Sequence, residues 1–298
     1  MKTILIAIAL LVTQQSLSAQ SEVPPGFLWQ VEIYDSEFTL AGSIHAAKKE
    51  NYPLPNAYIE AYKEADFIIF EIKEDFESIK EQMFTYAEKD KLMEDQYLDN
   101  YLSQESLEIL ASLFKGNEGA LHRQYEYEGW LLNMTVMGMT PKMIGFDPEL
   151  AIDKYFHDLA TSDRKSIYGL DQVDTQFQLF EFEAPLEAQI NILESGLKTA
   201  QMRAKSEQPL FDAYFSQDRD AFEKAFLTSM NFENPQVKAM YDRVFVARNK
   251  AWVQKIIELA KTEKGHYFML VGCGHYFGPE NVLELLKNEG FKPENYNK

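Results

Sequence analysis

The spacing of apolar positions divides the chain into strand-like ends and a helical middle. Residues 27–34 (FLWQVEIY) and 37–41 (EFTLA) are rich in aromatic and branched side chains, with Asp35-Ser36 between them as a turn, and read as a β-hairpin. Leu54, Ala57, Tyr58, Ala61, Tyr62 and Ala65 recur at helical spacing, and the continuous apolar run 66–72 (DFIIFEI) follows them. A run of that length beside a helix predicts a strand buried on both faces, as in a parallel sheet. Residues 76–135 interleave charged and apolar positions at helical period, with a break at Lys115-Gly116-Asn117. Pro141 and Pro148 bracket MIGFD (143–147), a helix is predicted over 149–161, and SIYGL (166–170) reads as another short strand. Residues 172–262 return to helix, with interruptions expected at Pro185, Pro209 and Pro235. The last unit is a strand at 266–271 (HYFMLV), a loop over 272–278, and a helix over 279–288 opened by proline.

This order predicts an α/β fold: a mixed sheet built from both ends of the chain, with large helical insertions near 76–160 and 200–240. One domain over 20–298 is expected. Length supports that, since 298 residues with 46% hydrophobic content supply a sizeable core. The 47 Asp and Glu outnumber the 29 Lys and Arg, for a formal charge of −18. Such a balance argues against nucleic acid as a partner and against adhesion to anionic membranes. Cys273 is the single cysteine, so no internal disulfide forms and a thiolate metal cage is excluded. Any metal must be held by histidine and carboxylate.

Residues 1–19 are an address rather than structure. Lys2 precedes the apolar run 4–12, and Ser16, Ser18 and Ala19 supply a small-residue cleavage zone, the layout of a secretory signal peptide. The run is about half of the ~20 residues that a membrane span needs. The mature chain is therefore expected to be exported, periplasmic or secreted, with no membrane span.

Two short segments share a pattern, Gly42-Ser43-Ile44-His45 and Gly272-Cys273-Gly274-His275, and each follows an apolar strand and opens a loop. In parallel sheets ligands collect in the crevice outside the carboxyl ends of the strands. Glycine there admits a close backbone approach, and a histidine three residues later can face the same crevice. Glu71 interrupts an otherwise apolar run, where a buried charge is costly unless paired or bound to a cation. Two imidazoles and one carboxylate make a divalent-metal set with a position left for water. Glu71 is alternatively the general base for that water. The bland readings stand beside these: a hydrogen-bonded turn histidine, and a strand-end glutamate facing solvent. Arg248-Asn249 lies on a long helical stretch, where the arginine either pairs with surface carboxylates or steadies Glu71 or an oxyanion. His122 and His157 are expected to be solvated, and Tyr125, Tyr127, Trp130 and Phe156 to be core.

These residues form an ordered set. Phe27-Leu28-Trp29, Leu40 to His45, Pro53-Leu54-Pro55, Ala65-Asp66 and Phe70-Glu71 open it. Gly145-Phe146-Asp147, Gly169-Leu170-Asp171, Thr175-Gln176 and Glu187-Ala188-Gln189 follow, then Arg248-Asn249, Trp252 and Val271 to His275 with Gly278-Pro279 behind. The set resembles the TraB/GumN family over nearly the whole chain. The resemblance implies a core related to the Tiki metalloproteases, which carry paired GxxH motifs and act with a divalent cation. More distantly it implies an erythromycin-esterase-like or haem-binding, ChaN-like core. Carried onto this sequence, it implies His45, Glu71 and His275 as metal ligands, Glu71 and Arg248 as catalytic residues, and Asp171 and Asn249 as secondary candidates. Asp171 departs from the family pattern, which usually has glutamate there. The function implied is an exported metal-dependent hydrolase cutting a peptide or amide bond, with Zn²⁺, Mn²⁺ or Co²⁺ as the cation. The alternative is a non-catalytic protein holding a peptide or haem-like ligand in the same crevice.

Overall fold

Strands from the two ends of the chain lie side by side in one mixed sheet. The computed structural model describes residues 26–181, 184–230 and 232–296, so the expected signal peptide lies outside the described residues. The strands are β1 (Leu28–Ile33), β2 (Ser36–Ser43), β3 (Phe67–Phe70), β4 (Ser166–Gly169), β5 (His266–Gly272) and β6 (Glu294–Asn295), in the sheet order β4-β3-β5-β2-β1-β6. The hairpin β1–β2 is antiparallel, with Leu28 opposite Ala41 and Ile33 opposite Ser36. β5 inserts between β2 and β3 and runs parallel to both, setting Gly272 beside Ser43 and Leu270 beside Phe70. β4 is parallel to β3. Four carboxyl ends therefore meet at one edge.

Burial explains the placement. β5 is buried from Tyr267 to Gly272, as a strand in mid-sheet must be. Phe38 of β2 stacks on Tyr267 of β5 at 4.4 Å, and Phe268 meets Tyr62 and Phe156 from helices Asn56–Glu64 and Ile152–Ser162. A separate apolar cluster, including Leu110, Leu121, Leu132, Leu193 and Leu197, joins the inserted helices to the long helix Leu186–Phe215. The insertion thus has packing of its own, while one end of it reaches the carboxyl edge of the sheet. Tyr125, Tyr127, Trp130 and Phe156 are all core.

Several local expectations change. β2 runs on to Ser43, because its last residues gain a parallel partner in β5. Helix Leu186–Phe215 continues through Pro209 without an end there, whereas Pro185 and Pro235 do stand at helix starts. The last helix is Val282–Asn288 and starts at Asn281, whose Oδ1 accepts the Glu284 N–H at 3.0 Å, not at Pro279. Ahead of Ile152–Ser162 the chain forms a separate 3₁₀ turn, Pro148–Leu150. His157 is buried rather than solvated, its Nε2 lying 3.0 Å from the Lys73 carbonyl and its ring against Phe70. Packing of its helix onto β3 draws it in. Among the described residues no helix is long and apolar enough to cross a membrane.

Candidate active site

Each parallel strand delivers one polar residue just past its end: His45 after β2, Glu71 after β3, Asp171 after β4 and His275 after β5. Their meeting point is Gly272. A Cβ added there would lie 3.1 Å from Glu71 Oε1, 3.4 Å from His45 Nε2 and 3.7 Å from His275 Cδ2. Glycine is needed at this position for space, since its φ of −49° suits any residue. Gly42 serves the matching motif in the same way, because a Cβ there would come 2.9 Å from Cys273 Sγ.

Arg248 ties the centre together from helix Ala247–Thr262. Its Nη2 donates to Glu71 Oε2, its Nε to Asp171 Oδ2 at 2.7 Å, and its Nη1 to the Val244 carbonyl at 3.1 Å. Val244 belongs to a π-helical turn, Asp242–Val246, that opens this helix. Such turns often accompany functional sites. The guanidinium also covers the Trp252 ring at 4.5 Å, and Trp252 Nε1 donates to the other Asp171 oxygen at 2.7 Å. Asp171 is consequently a support for Arg248 and Trp252. Its shorter side chain, the departure noted in the sequence, serves this role.

The two histidines are anchored alike. Asn249 Nδ2 donates to the Glu280 carbonyl at 3.0 Å, which turns Oδ1 toward His275 Nδ1 at 2.6 Å. That network assigns the His275 proton to Nδ1 and leaves the Nε2 lone pair facing Arg248 Nη1 at 3.2 Å. His45 Nδ1–H donates to Asp153 Oδ2 at 3.1 Å, and its Nε2 is directed toward Gly272.

Environment separates their charges. Burial holds His275 neutral, with a pKa down at about 3, against the opposing pull of Glu71. Asp153 pushes His45 up to about 9, with burial opposing it. The His45 side chain is 66% open to the cleft, so solvent screens its pair with Asp153. Burial pushes the Glu71 carboxyl up, but Arg248, His275, His45 and the Gly272 amide together hold it well below the usual carboxylate range. It is a carboxylate at any physiological pH.

A divalent cation is the group expected here. The donors match one in kind, and both rings have the outer-sphere acceptor on Nδ1 that ligating histidines commonly have. The carboxylate is less free: Glu71 Oε1 accepts the Gly272 N–H at 2.8 Å and Oε2 accepts Arg248. Among the described residues no group of three His, Cys, Asp or Glu side chains is set to hold a metal ion. A cation would have to take the place of Arg248 against His275 and Glu71.

All six residues singled out in the sequence come together: His45, Glu71, Asp171, Arg248, Asn249 and His275. Asp153 was missed. It sits among other charged residues on an amphipathic helix, and no spacing links it to His45.

The fold and this centre define an α/β protein with a histidine–glutamate–arginine cluster at the carboxyl edge of its parallel strands. The TraB/PrgY/gumN family matches residues 27–295, and the chain belongs to that family. It is similar to the uncharacterized protein YbaP of Escherichia coli (strain K12), 23% identical over 84% of this chain and 88% of the relative. YbaP of Shigella flexneri is 22% identical over 83% and 87% of the two chains. An uncharacterized protein of Treponema pallidum (strain Nichols) is 23% identical over 62% of this chain and 56% of its own. No solved structure matches.

Proposed function

We propose that the chain is an exported hydrolase that cleaves a peptide or amide bond with water activated beside His45. The carrying observation is the convergence of His45 Nε2, Glu71 Oε1 and His275 on Gly272 at the edge of the sheet. His45, oriented by Asp153, accepts the proton of the attacking water through Nε2 and returns it to the leaving amine nitrogen as the C–N bond breaks. Glu71, kept ionised, holds Arg248 in place. The guanidinium supplies positive charge where the attacked carbonyl oxygen becomes negative. Asn249 and Asp171 fix the His275 ring and the arginine fork. Export rests on the leader-like residues 1–19.

A divalent cation, Zn²⁺, Mn²⁺ or Co²⁺, belongs to this proposal. His45, His275 and Glu71 would hold it; His45 Nε2 would then be a ligand in place of its role as base, and the cation would polarise the carbonyl and lower the pKa of water. Anchoring of both rings supports it, and the need to displace Arg248 opposes it.

The test is cleavage of a peptide library with and without each cation, alongside metal analysis of the wild type, His45→Ala and His275→Ala. Cleavage abolished in His45→Ala is expected. No cleavage under any condition overturns the hydrolase, and cleavage indifferent to chelator overturns the cation alone. Apolar cavity walls beside His45 also favour a second reading, retention of a peptide or haem-like ligand without turnover. A Soret band on haem addition with no cleavage identifies that case.

A further inference from the structure

His45 and Glu71 stand where two cavities join. One has a volume of about 310 Å³ and runs toward Phe76, Met83, Met134 and Phe177. The other is about 400 Å³ and runs toward Leu210, Phe211, Phe226 and Phe245. Ser43, His45, Glu71, Gln176 and Phe180 line both. Either volume falls within the range of ligand pockets, roughly 300–1,000 Å³. Charged side chains on these walls are few. Lys80, Glu74 and Asp153 border the first cavity, while Glu207 and Arg248 border the second.

We infer that these lobes are paired specificity pockets for a peptide with a large apolar side chain on each side of the bond presented to His45. The inference rests on the hydrolase reading and names its substrate class. A bond at the junction leaves a lobe on either side of it. An extended chain projects neighbouring side chains in opposite directions, so two successive residues can fill opposed pockets. Aromatic and aliphatic walls reward apolar groups. The strongly acidic chain further disfavours acidic flanks, at a formal charge of −18.

Quenched fluorescent peptides that differ only in the two residues around a central bond test this: Phe-Leu, Phe-Gly, Gly-Leu and Gly-Gly. Wild type is expected to cut Phe-Leu at least ~10-fold faster in kcat/KM than either single-glycine peptide, the scale of discrimination apolar pockets achieve. Met83→Trp narrows the first lobe and Leu210→Trp the second, and neither residue belongs to the polar centre. Each is expected to abolish preference on one side only, on opposite sides. Met83→Ala and Leu210→Ala, which enlarge the lobes, serve if a tryptophan variant does not fold, with the same one-sided loss of preference expected. Rates indifferent to the flanking residues, or variants that act on the same side, overturn the inference while leaving the hydrolase intact. If no peptide is cut, anisotropy measures binding of the same four. The affinity order Phe-Leu above single-glycine above Gly-Gly upholds paired lobes without hydrolysis, and equal affinities overturn them.

Discussion

Arg248 Nη1 points at the lone pair of His275 Nε2 across 3.2 Å, so an arginine from a helix caps the one basic nitrogen of a buried, neutral imidazole. The same guanidinium neutralises Glu71, whose side chain is only 17% exposed. Arg248→Gln therefore strands the buried Glu71 carboxylate and takes one partner from the buried Asp171. The expected loss is about 3–5 kcal/mol in chemical denaturation. The double variant Glu71→Gln/Arg248→Gln recovers part of it, because the uncompensated charge has gone. Equal stability of the single and double variants would show that Glu71 has no need of Arg248.

Gly272→Ala places a methyl group against three polar side chains, closest to Glu71 Oε1 at 3.1 Å. Crowding of this kind costs about 1–3 kcal/mol. Thermal unfolding is expected to show a lower Tm, and cleavage is expected to fall further than the stability loss explains. An alanine variant with wild-type melting and wild-type turnover would contradict the convergence.

Asp153 raises the His45 pKa to about 9, so the ring is mostly protonated at neutral pH. Stability from this pair is complete below the unfolded value near 6.5 and is lost as pH rises through about 9. A base must be neutral to act, so cleavage is expected to rise with pH across the neutral range. Asp153→Asn moves that rise, and the His45 NMR titration, to lower pH, and costs about 10–100-fold in activity through lost orientation. An unmoved titration would remove Asp153 from the site.

Far from the cleft, Glu194 accepts the Ser103 backbone N–H at 2.6 Å and the Ser103 hydroxyl at 2.9 Å. Burial acts to raise its pKa, but these bonds and Lys198 outweigh it and bring the carboxyl down to about 2. The folded value is depressed, so its contribution is full above about 4.5 and fades as pH falls toward 2. Glu194→Gln is expected to cost on the order of 2 kcal/mol at pH 7 and little near pH 2. A gap independent of pH would exclude the charge as its source.

The strands and most of the centre were legible because they obey local rules. Apolar runs ending in glycine marked β2 and β5, and Glu71 stood out as a charge at the end of a greasy run. Through-space partners left no such trace. Asp153 meets His45 only after helix Ile152–Ser162 docks; Arg248 was singled out in the sequence as steadying Glu71, but its reach to Asp171 and His275 as well shows only in the fold. Proline misled in two places. Pro209 is carried inside a helix of 30 residues whose apolar side is packed along its length, and Pro279 yields to Asn281 as the helix start. Histidine and carboxylate donors were readable as types, but whether their lone pairs are free depends on Arg248.

The pairing of β2 with β5 means that no N-terminal portion of the chain holds a working centre. Until Arg248 and His275 have been made and the last long strand has slid between its neighbours, His45 has only Glu71 and Asp153 for company. A nascent molecule would thus be inert until its last long strand is in place. Truncation ahead of residue 266 should abolish activity outright, leaving no weakened remnant.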